Sequence, residues 1–280
     1  MCQLYYIFVD MAYNIKMNPK ISVVMSVYNG ARYLKEAIDS ILNQTFTDFE
    51  FLIVDDCSND NSPQILKEYS EKDNRIKIIT NEFNLGLTKN LNKMIKDSKG
   101  EYLARFDCDD VSLPNRFEEQ VKFLDPHTNV AMISSWANIM NEQGKIFKTI
   151  KYPIENIELK KALIKYNPFF HPSVMMRKSA VENVGPYDES WRFAQDYELW
   201  LRISEKYEIA NVPKVLLNYR ETSGSITGSK NKLQTGFVMK AKRMAIKRGQ
   251  YPKWNYIFLF RQYINLFVPV KVRKFIKKFF

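Results

Sequence analysis

Residues 21–30 have the sequence ISVVMSVYNG, a continuous β-prone run that ends in Tyr28, Asn29 and Gly30. An apolar run without polar alternation is typical of a strand buried on both faces of a sheet. Apolar residues then recur at helical spacing over residues 33–42. The stretch therefore predicts a buried strand, a polar turn and a helix.

The same unit recurs along the first half of the chain. Further strands are predicted at residues 49–54, 75–80 and 102–106, with one helix beginning near Pro63 and another over residues 87–95. This alternation predicts an α/β fold with a Rossmann-like, mostly parallel central sheet flanked by helices. In such sheets, ligands bind at the carboxyl ends of the strands.

The second half of the chain mixes strands and helices less regularly. Its predicted elements are strands at residues 130–134, 146–152, 173–176 and 212–219, and helices at residues 117–124, 157–164 and 197–203. From about residue 229 onward, the sequence predicts basic amphipathic helices.

Acidic and amide side chains follow three of the predicted parallel strands. Asn29 follows the first strand, Asp55 and Asp56 follow the second, and Asp107 and Asp109 follow the fourth. Because these strand ends meet at one edge of the sheet, we expect the side chains to converge in one crevice.

Asp107 and Asp109 form a candidate metal site. Successive strand residues face opposite ways, so these two carboxylates share a side, where they repel unless a cation lies between them. Hard oxygen ligands suit Mg²⁺ or Mn²⁺, and such an ion could neutralise a diphosphate leaving group. The alternative is a solvated acidic turn, since Asp is common in loops.

Two other segments have both a functional and a structural interpretation. Asp55 or Asp56 could accept a hydrogen bond from the imide N–H of uracil, or the segment could cap the following helix. Gly86 could let backbone N–H groups and Asn90 approach a nucleotide. It could equally permit a positive φ, with Asn84 in the turn.

Asp196 and His171 are the candidates for acid–base chemistry in the second half. Asp196 falls in the first turn of a predicted helix, where the helix dipole keeps a carboxylate ionised and able to accept a proton. The same placement could serve only to stabilise the helix. His171 could line a site or be a buried structural imidazole.

Charge is unevenly distributed along the chain. Residues 222–280 contain 14 of the 42 Lys and Arg residues and none of the 31 acidic residues. A basic tail suits nucleic acid or an anionic membrane surface. The 3 cysteines form no CxxC pair and the chain has only 2 histidines, which argues against a disulfide framework, a zinc site or a histidine-rich metal site. A reducing cytosol is the expected compartment.

The tail has two interpretations. The apolar face over residues 257–267 is interrupted by Arg261 and ends at Pro269, so the roughly 20 apolar residues of a membrane span do not fit. Residues 270–280 mix basic and aromatic side chains, which predicts an interfacial anchor for the anionic inner leaflet. The alternative is a pair of helices packing on the main domain.

Taken in order, the motifs resemble the family-2 inverting glycosyltransferases of GT-A fold, of the type that builds bacterial capsules and surface polysaccharides. The matching segments are SVYNG at 26–30, VDDCSND at 54–60, NLG at 84–86, RFDCDD at 105–110 and QDYELWLR at 195–202. They keep the family's order and spacing across about residues 20–220, which makes the set far more specific than any one motif.

The resemblance implies roles for particular residues. Asp107 and Asp109 would hold the metal, and Asp196 would be the base that deprotonates the acceptor hydroxyl. The donor would be contacted by Val27, Tyr28, Asn29, Asp55, Asp56, Asn84, Gly86, Asn90, Arg105 and Asp107. The acceptor or diphosphate side would comprise His171, Gln195, Trp200 and Arg220. Gln195 departs from the family, in which Glu is frequent at this position, and Glu221 stands where many relatives have a His or another residue.

The implied reaction is inverting, metal-dependent transfer of one hexosyl or N-acetylhexosaminyl group from a nucleotide-sugar. UDP is the family's commonest donor nucleotide, and the acceptor would be a glycan or a polyprenyl-diphosphate-linked sugar in surface polysaccharide biosynthesis. The sequence lacks the Gln-x-x-Arg-Trp motif and the membrane spans of processive synthases, so one sugar is expected per encounter. The enzyme is expected in the cytoplasm, peripheral on the inner face of the cell membrane, with no nucleic-acid partner.

We predict four segments from this reading: a possible non-native extension at 1–16 ahead of Met17, a nucleotide-sugar-binding half at 17–125, an acceptor-binding half at 126–228 and a basic amphipathic helical tail at 229–280.

Two other function classes fit parts of the sequence. DCDDV at 107–111 matches an Asp-x-Asp-x-Val nucleophile motif of metal-dependent phosphohydrolases, although there the motif follows the first strand of the domain, not the fourth. The basic tail would suit a nucleic-acid-binding protein, but no recognised nucleic-acid motif accompanies it and its aromatic residues favour lipid.

Overall fold

The computed structural model describes residues 18–222 and 231–260, with the side chains of residues 231 and 232 left out. The first half contains β1 (Ile21–Val27), α1 (Ala31–Leu42), β2 (Phe49–Asp55), α2 (Ser62–Lys72), β3 (Ile76–Thr80), α3 (Leu87–Asp97) and β4 (Tyr102–Asp107). The second half contains β5 (Val111–Ser112), α4 (Arg116–Leu124), β6 (Val130–Met140), β7 (Ile146–Ile150), α5 (Asn156–Leu163), β8 (Met175–Arg177), α6 (Lys178–Val184), α7 (Gln195–Lys206), β9 (Glu208–Arg220) and α8 (Asn231–Lys247). Short 3₁₀ turns occur at His171–Ser173 and Lys253–Asn255.

Within the described residues, the strands form one nine-stranded sheet in the order β3-β2-β1-β4-β8-β6-β9-β5, with β7 paired to β6 outside this path. Strands β1 to β4 are parallel, as are β6 and β9. β8 runs antiparallel to β4 and β6. The predicted α/β class with a mostly parallel central sheet is therefore confirmed. The strand order places the carboxyl ends of β1, β2 and β4 side by side.

The hydrophobic core lies on both faces of the sheet. One cluster includes Met94 of α3, Trp200 of α7 and Ile246 of α8. The other includes Leu34 of α1 and Phe117 of α4. Because both faces are covered, β1 and β2 are buried along almost their whole length. This explains why their sequences are continuous apolar runs rather than alternating ones.

Several strand boundaries differ from the sequence prediction: β6 runs to Met140 instead of 134, and β7 ends at Ile150 instead of 152. The strand predicted at 173–176 begins at Met175, because Pro172 lies in the 3₁₀ turn His171–Ser173, which its fixed φ favours. β9 begins at Glu208, earlier than predicted, and passes through Pro213 where its pairing with β6 shifts register. A proline inside a strand is tolerated at such irregularities, which agrees with its inclusion in the predicted strand.

The first helix of the tail packs on the main domain. Ala241 and Ala245 of α8 are buried in the same cluster as α7. Lys242 is also buried, its Nζ donates to the carbonyl of Lys165 at 2.8 Å, and burial lowers its pKa to about 8. α8 therefore packs on the main domain. The predicted interfacial anchor at residues 270–280 and the predicted extension at residues 1–16 lie outside the described residues.

In the described part of the chain, none of the helices is long and apolar enough to cross a bilayer.

The turn between α3 and β4 brings two backbone segments into close contact. The N–H of Gly100 donates to Ser22 Oγ at 2.8 Å, and the N–H of Lys99 donates to Glu50 Oε1 at 2.6 Å. A Cβ at position 100 would lie 2.4 Å from the Ser22 backbone nitrogen and 2.6 Å from the carbonyl carbon of Ile21. The turn requires glycine for this reason.

Gly100→Ala is expected to lower the unfolding free energy by about 1–3 kcal/mol or more, because backbone atoms must shift to admit the methyl group. The loss should appear as a fall of several degrees in Tm by calorimetry. Gly236→Ala in α8 is the matched control. Its Cβ meets nothing within 4 Å, and Ala favours a helix over Gly, so its Tm should stay equal or rise. Equal Tm values for Gly100→Ala and wild type would contradict the packing described.

Candidate active site

Three strand ends form the floor of the site. Val27 at the end of β1 pairs with Asp55 at the end of β2, and Ser26 pairs with Asp107 at the end of β4. The Val27 side chain is fully buried and its carbonyl accepts from the N–H of Asp56 at 2.8 Å. Val27 can therefore shape the floor but cannot offer its side chain to a ligand.

The turn after β1 is fastened to the loop after β2. The Asn29 N–H donates to Ser58 Oγ at 3.0 Å, and Asn29 Oδ1 accepts from the N–H of Asn59 at 2.8 Å. Asn29 has φ 51°, in the left-handed region that Asn tolerates better than most residues. Tyr28, which directly precedes Asn29, is 51% exposed, so its ring could contact a planar base.

Asp56 organises the loop before α3. Its carboxylate accepts from the N–H groups of Leu85 and Gly86 at 2.8 and 2.9 Å, and from Asn81 Nδ2 at 2.9 Å. Burial alone would raise its pKa, but these hydrogen bonds outweigh burial and lower the pKa below its ordinary value. Gly86 has φ 86°, so the structural interpretation of this glycine holds. Asp56 thus shapes the site rather than offering a free carboxylate.

The other residues predicted to contact the donor in this region differ in whether their polar groups already have hydrogen-bond partners. Asn90 is buried, and its side chain accepts from Asn81 Nδ2 and donates to Ser26 Oγ. Asn84 is exposed and donates to the Asp56 carbonyl at 3.3 Å. Asp55 accepts one 3.3 Å bond, from the Ser58 N–H. A carboxylate has room for several acceptor bonds, so Asp55 has capacity left for a ligand.

Three carboxylates cluster where β4 ends. Oxygens of Asp107, Asp109 and Asp110 lie within 4.8 Å of one another. Burial, then the charge of Asp107, raises the pKa of Asp109 to about 6, and burial and its two acidic neighbours raise the pKa of Asp110 well above its ordinary value. Asp110 Oδ2 has no hydrogen-bond partner among the described residues. Since a divalent cation would relieve this repulsion, and Mg²⁺ and Mn²⁺ prefer oxygen ligands, the donor set fits such an ion.

Arg220 holds the acidic loop in place. Its N–H donates to Asp110 Oδ1 at 2.7 Å and its Nε donates to the carbonyl of Asp109 at 2.8 Å. The guanidinium also bonds Glu36 at 2.5 Å and lies 4.3 Å from the ring centroid of Tyr33. The structure thus places Arg220, predicted on the acceptor or diphosphate side, behind the carboxylates as their support.

Arg105 links the two halves of the site. Its side chain is buried, and one Nη donates to Asp107 Oδ2. In the first half of the chain, the charge of Asp107 stabilises the Arg105 cation. In the second half, burial and the charge of Arg105 lower the pKa of His171, and the same charge opposes the rise that burial causes in the pKa of Asp196. Among the described residues, nothing accepts a hydrogen bond from Arg105 Nε. A buried cation with a free donor is suited to binding an anionic or oxygen-rich ligand.

Asp196 occupies the first turn of α7. Asn167 Nδ2 donates to its Oδ2 at 3.1 Å and fixes its orientation. Burial raises the pKa of Asp196, opposed in part by the Tyr197 N–H and by Arg105. Just before the helix, Ala194 has φ 55°, a strained conformation for a residue with a Cβ. The surrounding structure therefore holds this helix start in one geometry.

His171 is paired with Tyr187, whose pKa is raised by burial and by the charge of Asp196. His171 Nε2 and the Tyr187 hydroxyl are 2.8 Å apart. Burial, then the charge of Arg105, lowers the pKa of His171 well below its ordinary value, so the imidazole is neutral. Trp200 is fully buried behind it, with ring centroids 5.6 Å apart. Trp200 therefore packs behind His171 without being exposed to a ligand, while Gln195 is half-buried at the start of α7.

Several residues of the site were not found from the sequence. Asp110 follows the predicted pair directly and could have been included from its position alone. Asn167 and Tyr187 lie in segments without regular structure, 29 and 16 residues from their partners, and carry no motif. Ala194 gives no signal, because alanine is not a residue expected at positive φ.

Comparison with known proteins places the chain in a family. Residues 22–185 match the sequence profile described as Glycosyl transferase family 2. The chain is 40% identical over 208 residues to the uncharacterized glycosyltransferase MJ1057 of Methanocaldococcus jannaschii, covering 72% of this chain and 71% of that protein. It is 37% identical over 213 residues to the O-antigen biosynthesis glycosyltransferase WbnJ of Escherichia coli, covering 74% and 82%.

Solved structures show the same fold. TarS 1–349 of S. aureus in complex with UDP-GlcNAc superposes with a TM-score of 0.71 at 20% identity, over 91% of this chain and 77% of that one. The mannosyltransferase PcManGT of Pyrobaculum calidifontis, in complex with GDP-Man and Mn²⁺, gives 0.64 at 18% identity, over 95% and 77%.

These comparisons and the sheet define a glycosyltransferase of GT-A fold. The chain belongs to glycosyl transferase family 2, with relatives of the surface-polysaccharide type, and the predicted resemblance is confirmed.

Proposed function

We propose that this glycosyltransferase moves one sugar from a UDP-sugar to a hydroxyl of a glycan or polyprenyl-diphosphate-linked acceptor, with inversion, in surface polysaccharide biosynthesis. One observation carries the proposal: the buried Arg105 donates to Asp107 at the end of β4, and its charge also opposes the rise in the pKa of Asp196 at the start of α7. The carboxylates proposed for the donor's metal and the carboxylate proposed as the base thus lie near one buried cation. The UDP-GlcNAc bound to TarS and the O-antigen role in the name of WbnJ support the choice of donor and pathway class.

In the proposed reaction, residues of the first half of the chain bind the donor. Asp55 and the exposed Tyr28 would bind the base, and Arg105 would hold Asp107 in position through its hydrogen bond. A divalent cation, Mn²⁺ or Mg²⁺, held by Asp107, Asp109 and Asp110 would supply charge to neutralise the diphosphate leaving group.

Asp196 would take the proton from the acceptor hydroxyl. Burial raises its pKa, which makes it a stronger base than an exposed aspartate, and Asn167 directs one of its oxygens. The acceptor oxygen would attack the anomeric carbon from the face opposite the departing nucleotide, so the anomeric configuration inverts. Transfer of one sugar per encounter agrees with the missing processive motif.

A ligand panel tests this function. Nucleotide-sugars with Mn²⁺ would be screened by thermal shift, since a ligand at about 100 times its Kd stabilises by about 2.7 kcal/mol. A UDP-sugar should give the largest metal-dependent rise in Tm, and its product should show the inverted anomeric configuration by NMR. Hydrolysis of an aryl phosphate without any response to nucleotide-sugars would contradict the proposal in favour of a phosphohydrolase.

The proposal includes attachment to the cytoplasmic face of an anionic membrane. Trp254, Ile257 and Phe260 are each more than 60% exposed just beyond α8. They lie within the part of the chain that carries basic residues and no acidic ones. Aromatic and aliphatic side chains among basic ones are the composition of an interfacial anchor.

Replacing Trp254, Ile257 and Phe260 together by Ser is expected to lower binding to vesicles containing phosphatidylglycerol by at least about 10-fold, because the inserted apolar area is lost. Sedimentation of the full chain with these vesicles measures the effect. Leu233→Ser is the matched control, since Leu233 is exposed to a similar extent at the other end of α8. Unchanged sedimentation of the triple variant would exclude this surface as the membrane contact.

A further inference from the structure

Four aromatic side chains form a row on the surface of the acceptor-binding half. The ring centroids of Tyr166 and Tyr152 are 6.0 Å apart, those of Tyr152 and Phe170 are 5.3 Å apart, and those of Phe170 and Tyr219 are 5.6 Å apart. Successive rings are tilted by 33°, 38° and 45°. Neighbouring rings are therefore tilted against one another rather than stacked in parallel. This row, Tyr166–Tyr152–Phe170–Tyr219 in spatial order, is called the aromatic strip below.

The aromatic strip lies at the margin of the core, against which Phe170 and Tyr219 pack. Tyr166 is 45% exposed, and the other three side chains are half-buried. The adjacent Phe169 is buried against Trp200, with centroids 6.5 Å apart. The chain thus directs one phenylalanine inward and keeps the next at the surface. Contiguous exposed aromatic area beside a catalytic site indicates a binding surface.

The aromatic strip adjoins the catalytic base through its own segment. Asn167, which follows Tyr166, donates to Asp196 Oδ2 at 3.1 Å. Phe170 directly precedes His171, which the Tyr187 hydroxyl contacts. A molecule lying on the strip would therefore extend from the group that Asp196 deprotonates.

The segments that carry the strip are fixed before any ligand binds. Asn211 is fully buried, and its Nδ2 donates to the carbonyls of Pro153 at 2.7 Å and Pro168 at 3.3 Å. Trp136 Nε1 donates to the carbonyl of Tyr152 at 3.0 Å. Because the backbone under the rings is already ordered, a ligand would not have to supply that ordering free energy.

We propose that the aromatic strip binds an acceptor glycan of at least two sugar units, so that the enzyme extends an existing oligosaccharide. This rests on the proposed transferase function. The C–H faces of a pyranose ring are apolar and stack on aromatic rings, while its hydroxyl edge stays in water. Four rings spaced 5.3 to 6.0 Å apart form a surface longer than one sugar ring.

The test uses the full chain with UDP and Mn²⁺ on a microarray of bacterial surface glycans. For the best-bound glycan, the Kd is then compared with that of the methyl glycoside of its terminal sugar. Tyr166→Ala and Tyr152→Ala should each raise the glycan Kd by about 3- to 10-fold, the effect of one lost aromatic contact, and leave the methyl glycoside and UDP unaffected. Tyr166→Phe keeps the ring and should bind as wild type. Tyr256→Ala, which removes an exposed tyrosine outside the strip, is the control.

The possible results distinguish a failure of the strip proposal from a failure of the proposed transferase function. Equal glycan Kd values for wild type, Tyr166→Ala and Tyr152→Ala would overturn the strip as a subsite, as would a wild-type chain that binds UDP but no glycan. A dimer that Tyr166→Ala dissociates in sedimentation would assign the strip to a second copy of the chain and overturn it too. A wild-type chain that binds no UDP would contradict the proposed function, and the strip proposal would fall with it.

Discussion

Asp196→Asn is expected to lower turnover by about 10²- to 10⁴-fold while the donor still binds, because the variant loses the proton acceptor and little else. Asn is nearly isosteric with Asp, and its amide oxygen can still accept from Asn167 Nδ2. The variant should therefore fold normally. Steady-state transfer rates, together with calorimetric titration by UDP, measure both expectations.

Glu205→Gln is the matched control for this variant. Glu205 lies in the last turns of the same helix and pairs with Arg248 at 2.8 Å, away from the site. Its turnover should equal that of wild type. Near-normal turnover in Asp196→Asn would reject Asp196 as the base, whatever the value for the control.

The pH dependence gives an independent check on the same residue. Only the ionised carboxylate can accept a proton, so activity should fall as the pH is lowered through the pKa of Asp196. Burial raises that pKa, which places the acidic limb above the ordinary Asp value of about 3.9. kcat/KM should be measured at saturating Mn²⁺, because protons also compete with a metal for carboxylates. The residual activity of Asp196→Asn should lack this limb.

The second large effect is expected at the acidic cluster. Asp107→Asn and Asp109→Asn should each weaken Mn²⁺-dependent UDP binding by at least about 10- to 100-fold, the range seen for residues that only support metal ligands. Transfer should fall by at least the same factor. Titration of UDP with and without Mn²⁺ measures the change. Asp97→Asn, at the exposed end of α3, is the control and should bind as wild type.

At this cluster, the metal-free stability of the protein should not fall with the loss of a carboxylate, although metal-dependent binding does. The pKa of Asp109 is raised to about 6, so at neutral pH its ionised form opposes folding when no metal is bound. Asp109→Asn removes that charge, and its Tm without metal should be equal to or higher than that of wild type. A clearly lower Tm would mean that the carboxylate stabilises the fold, contrary to the electrostatics described.

The first half of the site could be predicted from the sequence because its signals are local. A buried parallel strand gives a continuous apolar run, and the polar residue that ends the run lies at the ligand-binding edge. Asn29, Asp55 and Asp107 were located in this way. The order of the strands within the sheet did not have to be known, since the carboxyl ends of parallel strands share one edge.

Long-range partnerships could not be predicted. Asp60 lies just before α2 in the sequence, yet its Oδ2 accepts from the N–H of Ala31 at 2.9 Å, at the start of α1. The sequence offers Asp56 as a contact of the base, and in the structure its carboxylate also binds backbone N–H groups about thirty residues away. Neither function leaves a periodic pattern or a motif. They depend on which loops the finished sheet brings together.

The most direct test is diffraction from crystals of the full chain grown with UDP and Mn²⁺, measured at a wavelength where manganese scatters anomalously. We expect one anomalous peak at the carboxylates of Asp107, Asp109 and Asp110, with the uracil ring beside Asp55 and Tyr28. Manganese or UDP bound elsewhere on the chain, with these carboxylates facing only solvent, would contradict the assignment of the active site.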